Sequence, residues 1–226
     1  MAKTLVTEKE IRELKNAGKK TLHVPAGTIV TPLATEIASN LEISIVYSSP
    51  ESSSTEVPGV AAPQPFGTTD QSSRKVVAFG SDHGGYSLKE QLKKYAESIG
   101  YAILDVGTND EEPCDYPDFA YAVARAVASG EAWRGVMIDG AGIGSCVAAN
   151  KVPGIRAACC HNEFVARNAR EHNDTNMLTL GSRVTGSEVC KEILRIWLET
   201  WFAGGRHKGR IDKINDIENR FLKRIS

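Results

Sequence analysis

The chain has 226 residues, of which 41% are hydrophobic and 24% are charged, and its formal net charge is -1. This balance argues against nucleic acid or an anionic membrane as a partner, and no apolar run is long enough to span a bilayer. Five cysteines without a Cys-x-x-Cys motif argue against a disulfide framework or a structural zinc site, and the first 20 residues lack the apolar core of a signal peptide, so we expect a cytoplasmic protein.

Composition divides the chain into three parts. Residues 50–74 are rich in Ser, Pro, Thr and Gly and poor in large apolar side chains, which is typical of a flexible linker. Residues 1–49 form a small N-terminal unit, and residues 75–226 form a larger body. A unit of about 50 residues buries little surface by itself, so we expect it to pack against a partner or against copies of itself.

Helix and strand signals alternate in the N-terminal unit. Thr7 and Glu10 have the spacing of a capping box before a helix, and TLHV is a predicted strand. Pro25-Ala26-Gly27 predicts a turn, Thr31-Pro32 predicts the start of a second helix, and ISIVY predicts another strand. The unit is therefore expected to be a small α+β structure.

Short apolar segments alternate with helical patterns throughout the body. The five predicted strands are KVVAFGS, YAILDVG, GVMID, IRAACC and MLTLG. A helical pattern follows each of them, and IDKINDIENRFLKRI predicts a final helix. Continuously apolar strands joined through helices predict a doubly wound, Rossmann-like α/β fold with a five-stranded parallel sheet. Ligands bind beyond the carboxyl ends of such strands.

Two predicted loops at those carboxyl ends carry candidate functional residues. Asp82-His83-Gly84-Gly85 follows the first strand, where the acid and the imidazole can bind a sugar hydroxyl, move a proton, or simply cap the next helix. After the third strand, Gly140, Gly142 and Gly144 direct backbone N–H groups toward a helix start, which suits a phosphate or an oxyanion. The spacing is not that of the dinucleotide fingerprint G-x-G-x-x-G.

HNDTN and GGRHKGR contain further candidates. His172 can transfer a proton near neutral pH, although a histidine also suits the last turn of a helix, with Asn173 as its cap. Arg206 and Arg210 are four residues apart, so on a helix their guanidinium groups share one face and can clamp a phosphate. A solvated basic face is the alternative interpretation of the arginines.

From about Lys75 to Arg220 the chain resembles the bacterial ribose-5-phosphate isomerase B and galactose-6-phosphate isomerase family. The resemblance is carried, in order, by FGSDHGGYSLK, DVGT, DYPDFA, GAGIG, AANKVPGIRAA, HNDTN, LTLGSRV and GGRHKGRI. It implies an enzyme that interconverts an aldose phosphate and a ketose phosphate through an enediolate, ribose 5-phosphate and ribulose 5-phosphate above all. No metal or organic cofactor is implied. The resemblance also implies a homodimer, or a tetramer, with active sites shared between subunits.

The resemblance implies that one group of residues surrounds the sugar. Asp82 and His83 would contact its hydroxyl groups or its phosphate, and Tyr116 would line the pocket. The glycine loop would donate backbone N–H groups to the enediolate oxygen. The loop residues concerned are Gly140, Ala141, Gly142 and Gly144.

A second group would act on the ring and the phosphate. By the same resemblance, His172 would help to open the sugar ring, with Asn173 beside it. Arg206 and Arg210 would hold the phosphate and reach a site on the other subunit.

The sequence departs from the family pattern at the catalytic base. Many members have a cysteine where this chain has Asp139, and others have a glutamate where it has Ser145. Carboxylates perform this type of enolisation in other folds, so we hypothesise that Asp139 carries the proton between C1 and C2. Cys146 is a second candidate. The alternative is that Asp139 only caps the following helix or binds a hydroxyl group.

Two further alternatives concern the function of the whole chain. A non-catalytic sugar-phosphate-binding or assembly protein derived from the isomerase would keep His172, Arg206 and Arg210 and lack a working base. The N-terminal unit is similar to short segments attached to some enzymes of bacterial microcompartments, which implies recruitment to a shell or to a neighbouring enzyme. A self-association arm is the alternative for this unit.

Overall fold

The computed structural model describes residues 5–25, 28–48 and 75–222. The predicted linker, residues 50–74, lies outside the described residues, as do Ala26 and Gly27 of the predicted turn. None of the described helices is both long enough and apolar enough to cross a membrane.

The N-terminal unit is a small α+β structure, as predicted. Its elements are β1 (Leu5–Val6), α1 (Glu8–Asn16), β2 (Thr21–Pro25), β3 (Ile29–Val30), α2 (Pro32–Asn40) and β4 (Ser44–Ser48). β1 pairs with β3 and β2 pairs with β4, both in parallel. The strands β1 and β3 were not predicted, because two residues are too few to show a periodic pattern.

Both helices of this unit begin at the predicted caps. The Thr7 N–H donates to the Glu10 carboxylate at 2.7 Å, as a capping box requires. Thr31 Oγ1 accepts a hydrogen bond from the Ala34 N–H at 3.1 Å, and a proline occupies the first helical position. The unit has an apolar core of its own, formed by Val6, Ile11, Val24, Ala34, Ile37, Ala38 and Ile43.

The body contains a five-stranded, fully parallel sheet, which confirms the predicted fold class. Its strands are β5 (Val76–Ser81), β6 (Ala102–Asp105), β7 (Arg134–Asp139), β8 (Ala157–Cys159) and β9 (Met177–Gly181), in the order β6-β5-β7-β9-β8. Its helices are α3 (Tyr86–Ser98), α4 (Tyr116–Ala128), α5 (Ile143–Ala149), α6 (Glu163–Asn173), α7 (Ser187–Glu199) and α8 (Lys208–Leu222), with a 3-10 turn at Gly205–His207.

Two apolar layers hold helices against the sheet. One lies between the sheet and α3, α6 and α7, and it includes the fully buried side chains of Phe79, Leu92 and Trp197. The other lies between the sheet and α4 and α5, and much of it consists of alanine. Because both faces are covered, the strand interiors are mainly apolar rather than alternating.

The order of the strands creates a crevice between β5 and β7. β6 is added on one side of β5, β7 pairs on the other side, and β9 and β8 lie beyond β7. The connections after β5 and β7 therefore lead away from each other. This is the point at which open parallel sheets bind ligands.

A buried ion pair holds the chain where β6 ends. Lys89 on α3 is fully buried, and its ammonium group donates to both Asp105 oxygens at 2.9 Å and to the Thr108 carbonyl at 2.7 Å. Lys93 also donates to Asp105. Burial raises the pKa of Asp105, but the two ammonium groups and the Gly107 N–H outweigh burial, so this pKa lies below its ordinary value.

We expect Asp105→Asn to lower the free energy of unfolding at neutral pH by about 3–5 kcal/mol, because it removes the nearer countercharge of the buried Lys89 ammonium and leaves only Glu90, at 3.5 Å, among the described carboxylates. The folded-state pKa of Asp105 is depressed, so the stabilisation is fully present above about pH 4 and is lost as the pH falls further. In urea unfolding experiments, the difference between wild type and variant should therefore shrink from pH 6 to pH 3.

Glu97→Gln, at the exposed end of α3, is the matched control. It should change the free energy of unfolding by no more than about 0.5 kcal/mol. Wild-type stability of Asp105→Asn at pH 6 would contradict the assigned role of the ion pair.

Candidate active site

The pairing of β5 with β7 places two carboxylates side by side. Ser81 lies opposite Ile138 in the sheet, and the Asp82 N–H donates to the Ile138 carbonyl at 3.3 Å. Asp139 is the last residue of β7. Only 8% of Asp82 and 4% of Asp139 are exposed. The sheet therefore brings both acids to the crevice between its diverging connections.

The Asp139 carboxylate is bound by the loop that follows it. Its Oδ1 accepts hydrogen bonds from the backbone N–H groups of Ala141, at 2.8 Å, and Gly142. Its Oδ2 accepts from the backbone N–H of Ser145, at 3.0 Å, and from the Ser145 hydroxyl group. A carboxylate offers about four acceptor positions, and here all of them are used. Catalysis by Asp139 stays a prediction, and these contacts favour the alternative that it caps α5.

Two glycines of this loop are required by close packing. Gly142 has a φ of +79°, and a Cβ there would lie 2.9 Å from both Cys159 Sγ and the Leu180 backbone. A Cβ at Gly144 would lie 2.6 Å from the ring of Tyr116. The ring of Tyr116, a residue that is 39% exposed, thus covers one side of the loop.

Two of the four loop residues predicted to donate to an oxyanion are engaged with Asp139 instead. These are Ala141 and Gly142. Within the described residues, the N–H groups of Gly140, Ile143 and Gly144 have no acceptor. The donors open to a ligand are therefore these three, and Ile143 was not predicted. Ala141 and Gly142 are not open to a ligand because their N–H groups point to the Asp139 carboxylate on the inner side of the loop.

Asp82 begins the turn that leads into α3. Its Oδ1 accepts a hydrogen bond from the Gly85 N–H at 2.9 Å. Ser182 Oγ donates to the Gly84 carbonyl at 2.7 Å and ties this turn to the end of β9. Burial raises the pKa of Asp82 above its usual value, and the nearby Asp139 adds to the rise, while the Gly85 N–H and His83 oppose it.

His83 faces the connection between β6 and α4. Its Nδ1 lies 3.2 Å from both the backbone nitrogen and the carbonyl oxygen of Cys114. The Cys114 N–H can only donate and needs an unprotonated Nδ1, whereas the Cys114 carbonyl can only accept and needs a protonated one. With Nδ1 unprotonated, Nε2 of the neutral ring carries the proton and can donate to a ligand.

The predicted residues His172, Arg206 and Arg210 form a separate histidine–arginine cluster together with His207, which was not predicted. The rings of His172 and His207 stack with centroids 4.0 Å apart. Guanidinium nitrogens of Arg206 and Arg210 each lie 3.5 Å from a ring nitrogen of His207. Asn168 Nδ2 lies 2.8 Å from His172 Nδ1. The cluster offers several cationic donors to an anion such as a phosphate.

Within one chain, the two carboxylates lie at the carboxyl ends of the strands and the histidine–arginine cluster lies toward the amino ends. α6 begins after the carboxyl end of β8 and runs back over about 16 Å. It ends beside the amino end of β8, where Arg156 Nε donates to the Asn173 carbonyl at 3.1 Å. His172 belongs to the last turn of α6. His172 and Asn173 therefore do not reach Asp82 or Asp139 of their own chain.

A cavity of about 1050 Å³ opens beside His83, between the start of α1 and the chain that follows β6. Its charged lining consists of acidic residues with the exception of Lys9 and Lys93. The acidic residues are Glu8, Glu10, Glu13, Asp105, Asp110, Glu112, Asp115 and Asp118. Such a lining repels anionic ligands, so this cavity is unsuited to a phosphate group.

Besides His207, three side chains that shape the site were not predicted. Ser145 was noted only for the glutamate that other members carry there, yet it supplies two of the donors to Asp139. Ser182 and Lys89 contact the site region from distant parts of the chain. A serine three residues after Gly142 is a readable helix-start signal, whereas neither Ser182 nor Lys89 has a local signal.

Residues 77–214 match the family model described as Ribose/Galactose Isomerase. The chain belongs to this family. It is therefore a sugar-phosphate isomerase, and Asp82, Asp139 and the glycine loop all lie within the matched residues. The N-terminal unit lies outside the match.

Named relatives of this isomerase match its body over nearly their whole length. Ribose-5-phosphate isomerase B of Escherichia coli is 45% identical over 146 residues, which are 65% of this chain and 98% of that protein. D-erythrulose-4-phosphate isomerase of Pectobacterium atrosepticum is 39% identical over 146 residues, 64% of this chain and 95% of that protein. The solved structure of Clostridium thermocellum ribose-5-phosphate isomerase B has a TM-score of 0.64 and 50% identity, covering 65% of this chain and 99% of that one.

Proposed function

We propose that this isomerase interconverts ribose 5-phosphate and ribulose 5-phosphate. The observation that carries the proposal is the meeting of a carboxylate pair with open backbone N–H groups at the crevice of the sheet. Moving a proton between adjacent carbons needs an acceptor and donors for the enediolate oxygen. The E. coli and C. thermocellum relatives carry the name ribose-5-phosphate isomerase B, and both are more similar to this chain than the D-erythrulose-4-phosphate isomerase is.

The proposed active site combines residues of two chains. Asp82, His83, Tyr116 and the glycine loop come from one subunit, and the histidine–arginine cluster comes from the other. In this arrangement His172 helps to open the sugar ring, with Asn173 beside it. Arg206 and Arg210 hold the phosphate. The separation of the two groups within one chain supports this division.

Exposed apolar side chains beside both groups support a homodimer. Ile143 and Val147, one turn apart on α5, are 63% and 57% exposed, and Phe164 at the start of α6 is 75% exposed. On α8, Ile214 and Ile217 are also exposed. Contiguous exposed apolar surface marks an interaction site, and a two-fold dimer buries the same surface on each subunit. A tetramer would require a further contact between dimers.

The N-terminal unit is proposed to dock the isomerase to a partner, either a microcompartment shell or a neighbouring cargo enzyme. It has its own apolar core, and it lies outside the residues shared with the family. Val46 and Tyr47 on β4 are exposed and offer apolar contact area.

We expect ribose 5-phosphate to have the highest kcat/KM in a comparison with D-erythrulose 4-phosphate and galactose 6-phosphate. The assay follows product formation and solvent deuterium at C1 and C2, with EDTA present because the proposed proton transfer needs no metal. A higher kcat/KM for either other sugar phosphate would contradict the assigned substrate. Lack of deuterium incorporation with all three would contradict isomerase activity.

Mixing two inactive variants tests the shared site. Arg210→Ala removes a phosphate ligand on one chain, and Asp82→Asn alters the sugar side on the other. In a heterodimer one site carries both changes and the second site carries neither, so after exchange of subunits the mixture should regain roughly a quarter of wild-type activity. Activity no greater than the mean of the two parents would place the whole site on one chain.

Removal of residues 1–74 should leave kcat and KM for ribose 5-phosphate within about two-fold of wild type. The reason is that the region matching the body makes up 98–99% of the E. coli and C. thermocellum relatives, so these relatives have no counterpart of the N-terminal unit. Association with isolated microcompartment shells or cargo should be lost. A second variant of the full-length protein carries Val46→Asp and Tyr47→Asp, which keep the unit and remove its exposed apolar contact. It should also lose this association. Unchanged association of both variants would refute docking through this unit.

A further inference from the structure

We propose that Asp82 is the residue that carries the proton between C1 and C2, and that Asp139 is a positioning residue that shapes the glycine loop. This inference rests on the proposed isomerase function and deepens it.

The bonding of Asp139 leaves no position for a substrate proton. Three backbone N–H groups and the Ser145 hydroxyl group fill its four acceptor positions. Taking a proton would displace at least one of these donors and release the loop that the carboxylate holds. The carboxylate is also almost fully buried beneath that loop. Asp139 is therefore well placed to fix the loop and poorly placed to reach a carbon of the sugar.

The bonding of Asp82 is different. Its Oδ1 accepts a hydrogen bond from the Gly85 N–H at 2.9 Å, and the nearby Gly84 N–H also stabilises the charge of the carboxylate. Its Oδ2 has no hydrogen-bond partner within the described residues, and it is not one of the fully buried polar atoms that lack a partner. Oδ2 thus remains accessible from the crevice. Of the two acids at the carboxyl ends of β5 and β7, Asp82 alone has an open acceptor atom.

The space above Gly84 links Asp82 to the glycine loop. A carbon atom placed at the Cβ position of Gly84 would lie 3.4 Å from Asp82 Oδ1 and 3.9 Å from the backbone nitrogen of Gly140. The Gly140 N–H has no acceptor within the described residues. The Asp82 carboxylate and the Gly140 N–H therefore lie on the same side of Gly84, close enough together for one bound sugar to contact both. This is the mutual geometry that an enolisation site requires.

The electrostatic surroundings of Asp82 support the same role. Burial and the charge of Asp139 raise its pKa, against the opposing effects of the Gly85 N–H and His83. A general base is most effective when its pKa approaches the working pH. Asp139 therefore contributes to the reaction through its neighbour as well as through the loop.

The proposed step conserves atoms and charge. In the open-chain aldose, Asp82 takes the proton from C2, the C2–H electron pair forms the C1=C2 bond, and the carbonyl electron pair moves to O1. The proton on O2 passes to O1, and the negative charge moves to O2. The O2 electron pair then forms C2=O2, and Asp82 returns its proton to C1. The product is the ketose, and Asp82 is again ionised.

The test compares Asp82→Asn with Asp139→Asn in the full-length protein, with ribose 5-phosphate in deuterium oxide. We expect Asp82→Asn to lower kcat and deuterium incorporation by about 10²–10⁴-fold, while ribose 5-phosphate still protects the variant against thermal unfolding. Asp139→Asn should lower the Tm and raise KM, while incorporation at saturating substrate stays within about ten-fold of wild type. Glu131→Gln, at an exposed turn before β7, is the control and should leave all these values unchanged.

Chemical rescue provides a second readout that a structural role would not produce. Added formate should restore part of the incorporation in Asp82→Ala, because it supplies a carboxylate in the vacated space, and it should not do so in Asp139→Ala. Equal loss of incorporation in both Asn variants, or rescue of Asp139→Ala alone, would overturn the assignment. No incorporation by wild type with any sugar phosphate would instead refute the proposed function on which the inference rests.

Discussion

The hydrogen bonds between the Asp139 carboxylate and the loop that follows it are the interaction on which the site depends. Asp139 ends a buried strand, and three backbone N–H groups and one hydroxyl group converge on it. A negative charge in such a place is costly unless it is fully hydrogen-bonded. Satisfying it curls residues 140–145 over the strand end, presses Gly144 against Tyr116, and leaves the Gly140, Ile143 and Gly144 N–H groups on the outer side of the loop.

The surroundings of the two aspartates at neighbouring strand ends give their carboxylates different hydrogen bonding and different chemical roles. Asp139 is saturated with donors, whereas Asp82 keeps an accessible oxygen and has a raised pKa. The charge of one acid also influences the proton affinity of the other, because the parallel pairing of β5 and β7 holds them close together. Environment rather than residue type separates a structural carboxylate from a reactive one.

The direction of the helices explains why the site is proposed to need two chains. Each helix that follows a parallel strand runs back toward the amino ends of the strands. His172, in the last turn of α6, therefore lies far from the crevice at the carboxyl ends. A second copy can supply the histidine–arginine cluster to the crevice, and the exposed apolar side chains of α5, α6 and α8 offer the contact area. The N-terminal unit has a separate core and borders the cavity beside His83.

The sequence by itself determined the doubly wound sheet, the caps of α1 and α2, and the candidate site residues, because apolar periodicity, capping pairs and glycine-rich turns are local signals. It also supported a role for Asp139 as the base, since a carboxylate at a strand end has the right chemistry. Only the tertiary structure decided how that carboxylate is hydrogen-bonded and that Asp82 keeps an accessible oxygen. It also decided that His172 lies near the amino end of β8, away from the carboxylates of its own chain. Hydrogen-bond saturation and burial depend on atoms contributed by segments far apart in the chain, as Ser182 and Lys89 illustrate, and no local pattern encodes them.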